Sequence, residues 1–144
     1  MVNKKYLLGL LLIVLAVTVI GCGRAAATLD GTWIGEDGVE TTFDNGAFEE
    51  SYFGSVVRMG TYSTSDGILT LEVTHIEATY FGVEELLNAE DFMVVLLESG
   101  EVPEEEIEDV IAYIFPTVTF GYEISGDTLT WKVDDFVFTT FTRQ

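Results

Sequence analysis

One cysteine, one histidine and two prolines in 144 residues leave the chain little reactive chemistry. Cys22 has no second cysteine to meet, so no internal disulfide can form and stability must come from a packed core. Hydrophobic residues make up 48% of the chain, which is ample for one. His75 stands beside no recognisable serine or cysteine nucleophile, so no set of nucleophile, base and orienting group can be written and no enzyme activity is expected. Metal sites need several His, Cys, Asp or Glu ligands at set spacing. The densest acidic stretch, Glu104 to Asp109, lacks calcium-loop spacing and reads as a solvated helix face. Neither a metal nor a cofactor is expected. Positive charge is scarce as well, with 6 Lys and Arg against 25 Asp and Glu. Such an acidic surface repels phosphate backbones and excludes nucleic acid as a partner.

The chain has one long apolar run, and it lies at the start. Lys4 and Lys5 precede Tyr6 to Ile20, which is almost wholly apolar, and Gly21-Cys22 closes it. A spanning helix needs roughly 20 apolar residues, and this run is shorter. A basic start, a short apolar core and small residues at the end describe a secretory signal. Val19-Ile20-Gly21-Cys22 resembles the lipobox of bacterial lipoproteins. The resemblance implies that residues 1–21 are a signal peptide, and that Cys22 is lipidated on sulfur and acylated on its new amine. It implies a chain outside the cytoplasm, lipid-anchored to the cell membrane or outer membrane of a bacterium. Two or more acyl chains hold a membrane where one does not. Gly23 stands where an aspartate tends to retain such proteins at the inner membrane, which leans toward the outer one. The alternative is an uncleaved anchor helix with an incidental cysteine.

Removing 21 residues leaves 123, enough for one domain. Lys4 and Lys5 leave with the signal, so four basic residues face 25 acidic ones and the net charge is −21. That surface repels anionic headgroups, so the lipid must hold the membrane. Residues 22–28 form a tether and residues 29–144 the domain.

Within the domain, short strands alternate with turn signals. Leu29–Gly35, Val39–Phe43, Ala47–Phe53, Val56–Thr64 and Ile68–Glu77 read as five strands. Asp44-Asn45-Gly46 is a strong hairpin signal, because Asn and Gly accept the positive φ of tight turns. In the fifth strand Leu69, Leu71 and Val73 share one face and Thr70, Glu72 and Thr74 the other, as in a sheet with one wet side. Residues 82–115 change to helical spacing. A first helix is expected from Val83 to Glu98, with a restart at Asn88 capped onto Asp91. A second follows Pro103, with Ile107, Val110, Ile111, Ile114 and Phe115 on one face. Strands resume at Val118–Ile124, Leu129–Val133 and Phe136–Arg143.

Eight strands joined by short turns bury their apolar face and hide their edges by closing into an up-and-down barrel. Eight is the number that side chains fill or that holds one small ligand. The expected fold is mainly β: an eight-stranded antiparallel up-and-down barrel with a two-helix insertion between strands 5 and 6. A β-sandwich is the alternative. Gly31-Thr32-Trp33 resembles the G-x-W motif of lipocalins and related barrels. The resemblance implies that Trp33 closes the base and that Arg143, on the last strand, packs across it. A guanidinium can stack on indole in this way. The second lipocalin motif is absent, the usual disulfide is impossible, and the helices lie mid-barrel. The barrel is therefore lipocalin-like rather than a lipocalin proper.

Tyr52, Tyr62, Phe120, Tyr122, Trp131 and Phe138 are the aromatics expected to face the interior, either as core or as the lining of a cavity for a small hydrophobic ligand. Arg58 and His75 are its candidate polar handles. His75 continues the face of Leu69, Leu71 and Val73 and is expected to point inward. Phe43 and Phe48 flank their turn and are expected to pack across it. The helical hairpin is a candidate lid over the barrel mouth or a plug that completes the core. Two roles compete: a barrel that binds a small hydrophobic molecule, and a solid barrel that meets a protein partner at the cell envelope.

Overall fold

The computed structural model describes residues 28–144, so the segment expected to be a signal peptide, the lipobox-like Val19–Cys22 and all but the last residue of the expected tether lie outside it. Its strands are β1 (Gly31–Gly35), β2 (Glu40–Asp44), β3 (Ala47–Tyr52), β4 (Ser55–Ser65), β5 (Ile68–Ala78), β6 (Val83–Leu87), β7 (Thr117–Ser125), β8 (Thr128–Val133) and β9 (Phe136–Arg143). Two α-helices, α1 (Ala89–Ser99) and α2 (Ile107–Ile114), stand between β6 and β7.

Eight strands close on themselves. β1 to β5 pair in sequence, β5 then pairs with β7, β7 with β8, β8 with β9, and β9 returns to β1, every pair antiparallel. Tight turns drive this order. Asn45-Gly46 and Asp66-Gly67 both adopt positive φ (48° and 87°, 51° and 77°), the twist that two-residue hairpins need. Outward positions such as Glu49, Thr61, Ser63, Glu72, Thr119 and Glu123 are exposed and polar, so the apolar face turns inward.

One expectation needs correction. Val83–Leu87 forms a strand, not the first turns of a helix. β5 runs past the point where β7 leaves it, and β6 takes up the free edge through Ile76↔Leu87 and Glu77↔Leu86. An unpaired edge is a liability, and this pairing removes it. The helix starts only after Asn88, whose side chain accepts from the Asp91 backbone N–H at 2.9 Å. Among the described residues, no helix is long and apolar enough to cross a membrane.

Two apolar clusters result. Trp33, Phe43, Leu69 and Leu129 fill the barrel. Phe92, Leu96 and Ile107 join the helices to Ala78, and Ile76 and Phe115 touch both clusters. The barrel base, where the chain enters at Leu29, is closed. Trp33 is fully buried and donates from Nε1 to the Leu29 carbonyl at 2.7 Å. The Arg143 guanidinium lies 4.3 Å from the centre of the Trp33 ring and donates to the carbonyls of Thr28 and Asp30. Gly31 has φ +126°, a conformation that side-chain-bearing residues avoid, and the Arg143 guanidinium packs 3.4 Å from where a Cβ would stand.

Candidate functional site

At the opposite end the barrel is neither filled nor regular. Within the eight strands that close the barrel, register shifts mark three places: Val57 is the extra residue of β4 against β3, Thr74 of β5 against β4, and Phe138 of β9 against β8. All three lie toward the end that carries the β1–β2, β3–β4 and β8–β9 turns. Bulges gather at barrel rims and beside binding sites because each one re-aims a side chain. Two adjoining cavities occupy this end, of about 340 Å³ and about 220 Å³, and Glu50, Arg58, Trp131 and Phe138 are common to their walls.

The hairpin register builds the polar wall. Phe43↔Phe48 face each other across the Asn45-Gly46 turn, 6.5 Å between ring centres. Two residues up the ladder on the same face come Thr41 and Glu50, also paired. Glu50 in turn faces Arg58 on β4. Glu50 is 6% exposed, and its carboxylate accepts from Arg58 Nε at 2.6 Å and Nη2 at 2.5 Å, both on Oε2. A carboxylate this deep needs a partner, because desolvating an unpaired charge costs several kcal/mol. Phe120 lies near-parallel to Trp131 (4.9 Å, 15°) and to Phe138 (5.7 Å, 16°), which makes a stacked aromatic wall opposite.

Arg58, Phe120, Trp131 and Phe138 thus come together at the mouth. The other four candidates do not. Tyr62 and Tyr122 are half-buried against the main core, and Tyr62 lies at the base. Tyr62 packs edge-on to Phe43 at 5.0 Å and donates its hydroxyl to Asp30. Burial raises its pKa above the usual 10.0, and the bond to Asp30 adds to the rise. Tyr52 is corrected from interior to surface: it is 44% exposed and packs on Phe53, beyond the last inward position of β3. His75 is also corrected. The extra residue at Thr74 reverses the inward parity of β5, so Ile76 takes the inward place opposite Arg58. His75 pairs with Met59, half-buried, and shares a 2.9 Å hydrogen bond with Thr74 Oγ1. Phe138 is 63% exposed and reaches the cavity from its bulge rather than from a regular inward position.

Glu50 and Thr41 are the residues that sequence reasoning missed. The register of the Asn45-Gly46 hairpin was the signal, since it carries the Phe43–Phe48 face two residues onward. No residue of α1 or α2 is among the walls of either cavity, while Phe115, at the end of α2, packs against the barrel core. Among the described residues, no group of three or more His, Cys, Asp or Glu side chains is placed to hold a metal. Comparison with protein-family models, curated proteins and solved structures finds no match to this chain.

Proposed function

We propose that this chain is a lipid-anchored barrel outside the cytoplasm that holds a small hydrophobic molecule in its open end. One observation carries the binding half: a base packed solid by Trp33, Phe43, Leu69 and Leu129 beneath cavities of about 340 and 220 Å³. Ligand sites are commonly a few hundred Å³, mostly apolar, with a few placed polar groups. Phe120, Trp131, Val118 and Leu71 supply the first property, and Glu50 with Arg58 the second. The lipobox at Val19–Cys22 supports the anchor, and the polar outer face suits a barrel that stands in water. The chain enters at the base, so the mouth faces away from the anchored end. The tether, Gly23 to Thr28, reaches at most about 20 Å when extended.

A second reading, a barrel that meets a protein partner, is favoured by the rim. Phe53 is 91% exposed, Phe136 80% and Val137 60%, all beside the mouth. Native mass spectrometry of the chain purified from its own envelope separates the two. The first reading predicts an acylated polypeptide starting at Cys22, with a further non-covalent mass below about 1 kDa that collisional activation removes, as suits a cavity of this size. An acylated chain with no small-molecule adduct, co-purifying with a second polypeptide, supports the partner reading. An unmodified chain that retains Met1 contradicts the anchor.

A further inference from the structure

The two tryptophans differ in one respect. Trp33 Nε1 has an acceptor in the Leu29 carbonyl. Trp131 Nε1 has none, although Trp131 is only 5% exposed. Among the described residues, Thr41 Oγ1 is the other buried polar side-chain atom without a partner, and Thr41 is 1% exposed. Both residues wall the larger mouth cavity. A buried polar group left unmade destabilises the fold, so an orphan calls for an explanation. Two orphans on one cavity have a common one: a ligand that satisfies both. Both atoms are closed off from solvent in this structure, so a ligand reaches them by displacing part of the enclosure, of which Phe138, 63% exposed, is the most open apolar member.

The chemistry of that ligand can be narrowed. An indole N–H only donates, so the ligand must offer an acceptor, which excludes a simple ammonium. Asp37 and Glu50 stand in the same wall, whose one cation, Arg58, is already paired with Glu50, so a carboxylate ligand meets net repulsion. A neutral acceptor remains. Phe120, Trp131 and Phe138 lie within about 16° of parallel along the stack, which suits a flat ring system laid against the same wall.

We propose that the mouth takes a small, neutral, planar aromatic molecule bearing a carbonyl oxygen. Trp131 Nε1–H and the Thr41 hydroxyl donate to that oxygen, and Phe120 and Phe138 hold the rings. This rests on the ligand-binding reading and specifies its substrate class. Three probes of one shape test it by equilibrium dialysis: 2-acetonaphthalene, 2-ethylnaphthalene and 2-naphthoate. The ketone is expected to bind about tenfold more tightly than the hydrocarbon, the ratio one good neutral hydrogen bond supplies, and the carboxylate more weakly than either. Trp131→Phe, which removes the N–H and also trims the aromatic wall, should narrow the ketone-to-hydrocarbon ratio toward one, and an undiminished ratio in that variant overturns the proposal. Equal binding of ketone and hydrocarbon to the unaltered protein overturns the proposal but leaves ligand binding intact. Tightest binding of the naphthoate overturns it in favour of an anion site. Failure of all three to bind overturns this proposal, and only an adduct-free native mass spectrum of the envelope-purified chain overturns the binding role as well.

Discussion

At the scale of single residues, the protein sets its two ends apart by how completely polar atoms are paired. At the base, Trp33 Nε1, the Arg143 guanidinium and the Tyr62 hydroxyl all find acceptors among Leu29, Thr28 and Asp30. At the mouth, Trp131 and Thr41 keep theirs unmet. The Tyr62 bond has a measurable consequence. Its folded pKa lies above its unfolded one, so the folded state holds the phenol proton more tightly. The stabilisation is whole below pH 10 and fades as pH rises through the folded value. Chemical denaturation between pH 8 and pH 11.5, run on the natural protein and on Tyr62→Phe, should show a steeper alkaline loss in the former. Parallel curves would mean that the Tyr62 proton is not linked to folding.

At the scale of elements, strands and turns were largely legible and the bulges were not. Period-two alternation marks β5, β7 and β8, and Asn45-Gly46 marks a hairpin, because each signal is local in the chain. The last strand, Phe136–Arg143, follows the Asp134-Asp135 turn. A bulge depends on what the neighbouring strand does, so Thr74, Val57 and Phe138 give no local sign. That is why His75 reads inward from sequence and lies otherwise in the fold. β6 was hidden for a similar reason. Val83 to Leu87 has an apolar spacing that suits a helix, and only the free edge of β5 makes it a strand. Of the candidate site, Arg58, Phe120 and Trp131 were legible as inward positions, whereas Glu50 was not, since a carboxylate on an apolar face looks like a surface residue until its arginine is placed.

Gly60 shows the constraint at this scale. A Cβ there would stand 1.9 Å from the Glu72 carbonyl oxygen and 2.8 Å from Phe48 Cε1, next to the Thr74 bulge. Backbone cannot yield as a flexible side chain does. Gly60→Ala should therefore cost about 3 kcal/mol in urea denaturation, at the upper end of overpacking effects. A loss under about 0.5 kcal/mol, typical of surface changes, would show that β4 and β5 do not approach so closely.

At the scale of the whole molecule, the barrel divides into a packed half and a hollow half. Base closure by Trp33 and Arg143, the filled layer above it and the bulged rim follow one another along the axis. The helices pack on β5 and β6 at the side, around Phe92, Leu96 and Ile107, and leave the cavities uncovered. The strong negative charge lies on the outside, with the inward carboxylate of Glu50 held by Arg58. This arrangement fits the proposed ligand-binding role, with the cavities at the end opposite the one where the chain enters at Leu29.

The central claim is that the mouth, not the base, receives a ligand. The chain has two tryptophans, one at each end, so its indole N–H resonances give two independent reporters. In a two-dimensional ¹⁵N–¹H spectrum titrated with 2-acetonaphthalene, the Trp131 indole peak should move downfield as Nε1–H gains an acceptor, while the Trp33 peak stays in place. An unmoved Trp131 peak under saturating probe, or a shift at Trp33 alone, would contradict it.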